Sequence, residues 1–142
     1  MKIAIGADHG GYELKERLRV LLLSAGHEVN DVGCFSLDSV DYPDIAEAVA
    51  TEIIEQRGEA GILICGTGLG MSMAVNRHPQ LRAALCHDEY TARMSREHNN
   101  ANILCLGARV IGIGVAEAIV SCWLSTSFTG GRHQQRIDKF SR

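Results

Sequence analysis

Residues 60–75 have the sequence AGILICGTGLGMSMAV, and they contain the unit from which the rest of the chain is built. The first six residues are apolar or glycine and carry no charge, which is typical of a strand buried on both faces of a parallel sheet. Glycines 66, 68 and 70 follow at once, and the apolar residues after them predict a helix. A buried strand that passes through a tight turn into a helix indicates an α/β fold.

The same alternation continues on both sides of this segment. Further apolar segments predict strands at 2–6, 27–32, 82–86 and 102–107. Helical patterns lie between or after them, at 12–25, at 45–53 behind Pro43, at 88–99 and at 115–123. We therefore expect a single domain over residues 1–142: a three-layer α/β/α sandwich with a five-stranded parallel sheet, flavodoxin- or Rossmann-like, in strand order 2-1-3-4-5.

Composition excludes several classes of protein. Hydrophobic residues make up 46% of the 142 residues and there are 2 prolines, so the chain is neither disordered nor collagen-like. No apolar run approaches the roughly 18 residues that span a bilayer, and the N-terminus does not resemble a secretory signal. The 5 cysteines include no C-x-x-C pair, which disfavours a disulfide framework or a zinc ribbon and favours the cytoplasm. Three of them lie in apolar runs and are expected in the core: Cys86, Cys105 and Cys122.

Charge is distributed unevenly along the chain. Residues 1–64 contain 12 acidic and 5 basic side chains, whereas residues 65–142 contain 5 acidic and 9 basic ones, for a net charge of −3. An acidic protein is a poor candidate for binding nucleic acid. The C-terminal tail nevertheless concentrates four basic residues, Arg132, Arg136, Lys139 and Arg142. This local cluster indicates either a site for a small anion or a solvated basic tail.

Polar and glycine-rich segments follow the first and third predicted strands, where α/β sheets bind ligands. The loop 66–70 opens a helix, so its N–H groups suit an anion, although glycines also serve tight packing. Cys65 stands beside this loop, and a thiol at a helix start suits a nucleophile or general base; the alternative is an inert core cysteine. Asp8 and His9 follow the first strand. The polar segment 98–102 is expected at the same carboxyl edge, or as a set of turn caps.

Known cofactor motifs do not fit this chain. A dinucleotide-binding fingerprint requires glycine at position 71, and a cysteine phosphatase motif requires arginine there, but the residue is Met71. No P-loop lysine and no H-E-x-x-H pattern occur. We therefore expect neither a cofactor nor a metal ion.

Five motifs together resemble the ribose-5-phosphate isomerase B family, within the group that includes the galactose-6-phosphate isomerase subunits. The motifs are GADHGGYELK at 6–15, DYPD at 41–44, ILICGTGLGMSMAVN at 62–76, SREHNNANILCLGARVIG at 95–112 and GGRHQQR at 130–136. They occur in the family's order over nearly the whole chain.

The resemblance implies a metal-independent aldose–ketose isomerase that interconverts D-ribose 5-phosphate and D-ribulose 5-phosphate through a cis-enediolate, in the pentose phosphate pathway. It implies that Cys65 is the general base acting between C1 and C2, that His98 opens the furanose ring, and that the Thr67 hydroxyl assists. The substrate contacts that it implies are Asp8, His9, Tyr42, Gly66, Thr67, Gly68, Leu69, Gly70, Asn99, Arg109, Arg132 and Arg136, the three arginines at the phosphate.

A homodimer or a dimer of dimers is also implied, with segment 127–142 contributing to the phosphate site and to subunit contacts. Two alternatives stay open at this point. One is isomerisation of a six-carbon sugar phosphate, such as allose or galactose 6-phosphate, because the sequence does not reveal the length of the pocket. The other is a non-catalytic phosphate-binding module on the same fold.

Overall fold

A computed structural model describes residues 1–141, so Arg142 of the predicted basic tail lies outside the described residues. The strands are β1 (Lys2–Ala7), β2 (Glu28–Asp31), β3 (Ala60–Cys65), β4 (Ala83–Leu85) and β5 (Ile103–Gly107). The helices are α1 (Tyr12–Ser24), α2 (Tyr42–Ile54), α3 (Leu69–Val75), α4 (Glu89–Glu97), α5 (Ile113–Ser125) and α6 (Arg132–Ile137). All strand pairs are parallel.

Alternate residues of the central strands face two separate cores. Ile62 and Ile64 of β3 pack in a cluster with residues of α1, α4 and α5. Leu63 and Cys65 point to the other face, in a cluster with residues of α2 and α3. Because side chains alternate along a strand, helices must cover both faces of the sheet. The predicted three-layer α/β/α sandwich is therefore confirmed.

The strand order is β2-β1-β3-β5-β4, so the predicted order 2-1-3-4-5 is wrong in its last two positions. All five residues of β5 are buried, whereas the three residues of β4 are only half-buried. A wholly apolar strand is most stable inside the sheet, and a short strand is tolerated at its edge. The three-residue β4 therefore lies at the edge and the five-residue β5 lies inside the sheet, covered on both faces.

Two further features depart from expectation. α6 forms within the tail that the sequence marked only as basic. Cys122 is half-buried rather than in the core, and its thiol donates to the Glu89 carbonyl at 3.5 Å. Cys86 and Cys105 are buried as predicted, and burial raises the pKa of both thiols.

In the described part of the chain, no helix has the length and apolar character needed to cross a bilayer.

Candidate active site

Cys65 is the last residue of β3, and only 5% of it is exposed. Its Sγ accepts a hydrogen bond of 3.0 Å from the N–H of Gly68. Gly68 has φ +77°, and a Cβ there would lie 2.5 Å from a methyl group of Leu85 and 2.9 Å from the carbonyl carbon of Leu106. Only glycine therefore fits the turn that presents this N–H to the sulfur. The sulfur therefore has a backbone amide as its hydrogen-bond donor.

The glycine loop (residues 66–70) is fastened to the end of β5. The carbonyls of Cys65 and Gly66 accept 2.9 Å hydrogen bonds from the N–H groups of Ala108 and Arg109. Within the loop, the Thr67 hydroxyl accepts from the Leu69 N–H at 3.3 Å, and both residues are exposed. The glycines therefore serve tight packing at Gly68 and Gly70, as one of the two sequence-based interpretations expects, and the anion-binding interpretation stays a prediction.

The acid loop (residues 8–11) lies against the end of β3. The Asp8 N–H donates to the Ile64 carbonyl at 3.1 Å, and a Cβ on Gly11 would lie 2.6 Å from the same oxygen. Asp8 Oδ1 accepts from the N–H groups of Gly10 and Gly11 at 2.9 and 3.2 Å. The carboxylate thus holds its own loop beside the glycine loop.

Arg109 lies across both loops. A Cβ on Gly66 would be 3.4 Å from Arg109 Cδ and Nη1, and a Cβ on Gly10 would be 3.5 Å from Arg109 Nη2. No acidic side chain within residues 1–141 forms an ion pair with this guanidinium. Arg109 also lines, with His9, a cleft of about 980 Å³ between α1 and the start of α5. The carboxyl edge therefore carries a guanidinium that is not held in an ion pair and lies beside Gly66 and Gly10.

Two further predicted residues complete this edge. The N–H of Val40 donates to Nδ1 of His9 at 3.3 Å. The ring of Tyr42 lies against the glycine loop, since a Cβ on Gly70 would be 2.6 Å from two of its ring carbons. Together with Cys65, Asp8 and Arg109, these side chains form one group, which we call the carboxyl-edge group.

The segment 98–102 does not join that group, and its predicted place at the carboxyl edge is wrong. The Asn102 carbonyl accepts from the Gly61 N–H at 2.9 Å, and Gly61 begins the β3–β5 register that ends at Cys65 and Gly107. Residues that precede a parallel strand lie at its amino end. Gly61 and Cys65 are four residues apart on β3, which corresponds to about 13 Å along the sheet. His98 and Asn99 lie beyond the Gly61 end, so they are farther than this from Cys65.

The turn-cap alternative holds for Asn102. Its Oδ1 accepts from the Arg82 N–H at 2.7 Å, and its Nδ2 donates to the Gln80 carbonyl at 3.1 Å. Asn99, by contrast, is exposed, and its side chain makes no hydrogen bond among the described residues, although its carbonyl accepts from Arg82 Nε at 3.1 Å.

A second group lies at the amino edge of the sheet, and we call it the amino-edge group: His98, Asn99, Arg132, His133 and Arg136. His98 is the first of these. The ring of His98 stacks on that of His133, with the ring centroids 4.2 Å apart and the ring planes 8° from parallel. Burial, and then the positive charges of His98, Arg132 and Arg136, lower the pKa of His133. Thr129 docks the tail, because its N–H and hydroxyl donate to the Glu97 carbonyl at 3.1 and 2.7 Å.

His133 was not among the predicted site residues. Its position between Arg132 and Arg136 in GGRHQQR was the available signal, because three polar residues within one helical turn share a neighbourhood. Within residues 1–141, no group of three or more His, Cys, Asp or Glu side chains is arranged to hold a metal ion.

Comparisons with known proteins identify the family to which the chain is similar. A family model described as Ribose/Galactose Isomerase matches residues 3–140. Ribose-5-phosphate isomerase B of Escherichia coli (strain K12) is 44% identical over 96% of this chain and 92% of its own length. The putative sugar phosphate isomerase YwlF of Bacillus subtilis (strain 168) is 49% identical over 99% of this chain and 95% of its own.

A solved structure is similar along the whole chain. Ribose-5-phosphate isomerase B of Clostridium thermocellum superimposes with a TM-score of 0.98 at 52% identity, covering 99% of this chain and 95% of the other. The five motifs, the parallel sheet and the family match point the same way. The chain belongs to the ribose/galactose isomerase family, and the resemblance stated from its sequence is confirmed.

Proposed function

We propose that the protein is a ribose-5-phosphate isomerase of the B type, which interconverts D-ribose 5-phosphate and D-ribulose 5-phosphate. Family membership and the 44% identity to the Escherichia coli enzyme of that name support this function. The structural observation that carries it is the hydrogen bond from the Gly68 N–H to Cys65 Sγ. It supplies a stabilised base at the edge of the sheet where α/β proteins bind ligands.

The reaction moves one proton between two neighbouring carbons. The Cys65 thiolate takes the proton from C2 of the open-chain aldose, and the electron pair moves onto the C1 carbonyl oxygen to form a cis-enediolate. The thiol then returns the proton to C1 and becomes a thiolate again, while the O2 hydroxyl passes its proton to O1, so that C2–O2 becomes the carbonyl and O1 a hydroxyl. A base and donors for the oxyanion are sufficient for this sequence.

The rest of the carboxyl-edge group binds the sugar in this proposal. Gly66, Thr67, Gly68, Leu69 and Gly70 supply backbone donors, and the Thr67 hydroxyl assists them. Asp8, His9 and Tyr42 contact the sugar, and Arg109 adds positive charge above both loops. Its closeness to Gly66 and Gly10 supports this role.

The amino-edge group acts in the site of a second copy. His98 opens the furanose ring, Asn99 contacts the sugar, and Arg132 and Arg136 bind the phosphate dianion of a substrate held by the partner's Cys65. The separation of about 13 Å along the sheet supports this arrangement, because one chain does not bring both groups to one sugar. The protein is therefore a homodimer or a dimer of dimers, and the segment 127–142 contributes to its contacts and to the phosphate site.

An assay of purified protein tests the function. We expect interconversion of ribose 5-phosphate and ribulose 5-phosphate with EDTA present, because no step requires a metal ion. Five- and six-carbon sugar phosphates assayed side by side decide between substrate classes. Binding of phosphate esters without turnover would establish the non-catalytic alternative instead. A cytoplasmic location stays a prediction from cysteine usage.

Mixing two inactive variants tests the shared site. We expect Cys65→Ala to lower kcat by on the order of 10³, within the range for a lost general base. Cys122→Ala, at a half-buried thiol whose hydrogen-bond partners are Glu89 and Thr126, is the matched control and should retain full activity. Cys65→Ala dissociated and reassembled with His98→Ala should recover about a quarter of the unmodified activity, because mixed dimers rebuild one intact site. No recovery in verified mixed dimers would show that His98 and Cys65 serve the same chain.

A further inference from the structure

Lys15 is a fully buried charge that the proposed reaction does not use. It lies on α1 with no exposed surface, and its Nζ pairs with Asp31 and, at 2.8 Å, with Glu16. The rings of Tyr12 and Phe35 have their centroids 5.5 Å from the same nitrogen. Burial alone lowers the pKa of Lys15, but hydrogen bonds to Asp31 and Glu16 outweigh it and raise the pKa overall, so the side chain stays a cation.

Asp31 connects this cation to the loop that follows β2. One of its carboxylate oxygens accepts from Lys15, and the other accepts from the Gly33 N–H at 3.0 Å. The Gly33 carbonyl in turn accepts from the Ala7 N–H, and the Cys34 N–H donates to the Ala7 carbonyl, both at 2.6 Å. The start of loop 33–40 is therefore fastened to the residue that directly precedes Asp8 and His9.

The other end of loop 33–40 reaches His9 itself. The Val40 N–H can only donate, so Nδ1 of His9 accepts and the proton of the neutral ring lies on Nε2. His9 lines the cleft beside Arg109, where Nε2 is left as a donor for a ligand. The tautomer of His9 thus depends on where loop 33–40 holds Val40.

We propose that Lys15 is a positioning residue, which acts through Asp31 and loop 33–40 to fix the tautomer and orientation of His9. A buried ion pair seldom stabilises a fold more than apolar side chains of the same size, so stability alone does not account for a lysine here. Through Asp31, the charge of Lys15 also holds the start of loop 33–40 in position, which gives the lysine a second role. The effect on turnover rests on the proposed function, whereas the effect on His9 does not.

Three substitutions separate this role from a general structural one. Lys15→Met keeps the length of the side chain and removes the charge. Asp31→Asn weakens the bridge to the loop. Glu16→Gln is the matched control, because Glu16 also pairs with Lys15 but makes no contact with loop 33–40 among its hydrogen bonds. Lys2→Met, at an exposed lysine, controls for loss of positive charge.

The first readout is imidazole ¹⁵N NMR in mildly alkaline buffer without substrate, with the signals of His9 assigned among the 6 histidines by His9→Gln. We expect the Nε2–H tautomer alone in the unmodified protein, Glu16→Gln and Lys2→Met. Lys15→Met and Asp31→Asn should give a mixture of both tautomers. In the isomerase assay these two variants should raise KM about tenfold, as for one lost hydrogen bond to the sugar, with kcat within about twofold.

A single Nε2–H tautomer in folded Lys15→Met, with unchanged KM, would overturn the proposal. If Lys15→Met does not fold, Asp31→Asn decides by the same measurement, and an unchanged His9 again overturns it. A tautomer mixture in a protein that shows no isomerase activity in its unmodified form would uphold the positioning role and reject the proposed function. An equal effect of Glu16→Gln would show that Lys15 acts on the fold as a whole, against the proposal.

Discussion

The carboxyl-edge and amino-edge groups are built by different means, although both contain residues that the motifs single out. At the carboxyl edge the contacts depend on the backbone, since Gly68 lets its N–H reach Cys65 Sγ and Gly66 lets the Arg109 side chain lie against the loop. At the amino edge, side chains on two docked helices bring together two stacked imidazoles and two arginines. The first group suits proton abstraction from carbon, and the second suits a phosphate and a ring oxygen.

The largest effect is expected from Gly68→Ala at the carboxyl edge. The new Cβ would meet Leu85 and Leu106 and would force a left-handed residue, so the N–H moves away from Cys65 Sγ. We expect kcat to fall by on the order of 10²–10³, because the sulfur loses its amide donor and the loop loses one of the proposed oxyanion donors. Stability to urea should fall by about 1–3 kcal/mol from backbone strain alone.

Gly26→Ala is the control for that strain. Gly26 has φ +83°, but no atom lies within 4 Å of the position of its Cβ. It should lose about 1 kcal/mol of stability and keep its kcat. Equal loss of kcat in both variants would show that the N–H of Gly68 makes no specific contribution to catalysis.

The next effect tests the proposed phosphate contact at the amino edge. Arg136→Gln should raise KM about ten- to a hundredfold, since a charge-assisted contact is lost, and should change kcat less. Arg93→Gln, an exposed arginine of α4 beside the Tyr90 ring, should leave KM unchanged. Steady-state kinetics check both, and an unaltered KM in Arg136→Gln removes that residue from the phosphate site.

A smaller effect distinguishes the two asparagines of the amino edge. Asn102→Ala loses two hydrogen bonds that cap β4, so it should lose about 1–2 kcal/mol of stability with little change in KM. Asn99→Ala should keep its stability and raise KM, because its exposed side chain makes no hydrogen bond in the described chain. Urea denaturation and kinetics on both variants give the comparison, and a shared pattern would contradict it.

The smallest effect is a change in pH dependence. The pKa of His133 is lower in the folded protein than in the unfolded chain, so the unfolded chain binds more protons and stability falls as pH drops below about 6.5. His133→Gln should flatten this part of the curve, whereas the exposed His87→Gln should not. Urea midpoints measured over a pH series check the slope, and identical slopes would place the titration elsewhere.

Much of this could be predicted locally. β3 was predicted with its observed bounds, since a glycine-rich turn follows six uncharged residues directly. The exchange of β4 and β5 could not be read locally, because it depends on which strand the helices cover. The place of His98 was predictable from strand direction alone, and the error lay in treating both ends of β5 alike. The stacking of His133 depends on Thr129 docking the tail on Glu97, a contact between segments 32 residues apart.

Arg109 meets Gly66 in two ways: its backbone N–H donates to the Gly66 carbonyl, and its side chain lies on the side where a Gly66 Cβ would stand. The hydrogen bond that follows the last β3–β5 pair, Cys65 with Gly107, and the positive charge beside both loops therefore belong to one residue. Fraying at this end of the sheet would withdraw the cation before the two cores open. Under rising denaturant, enzymatic rate should consequently decline ahead of circular dichroism, which makes turnover a local gauge of how tightly that corner is closed.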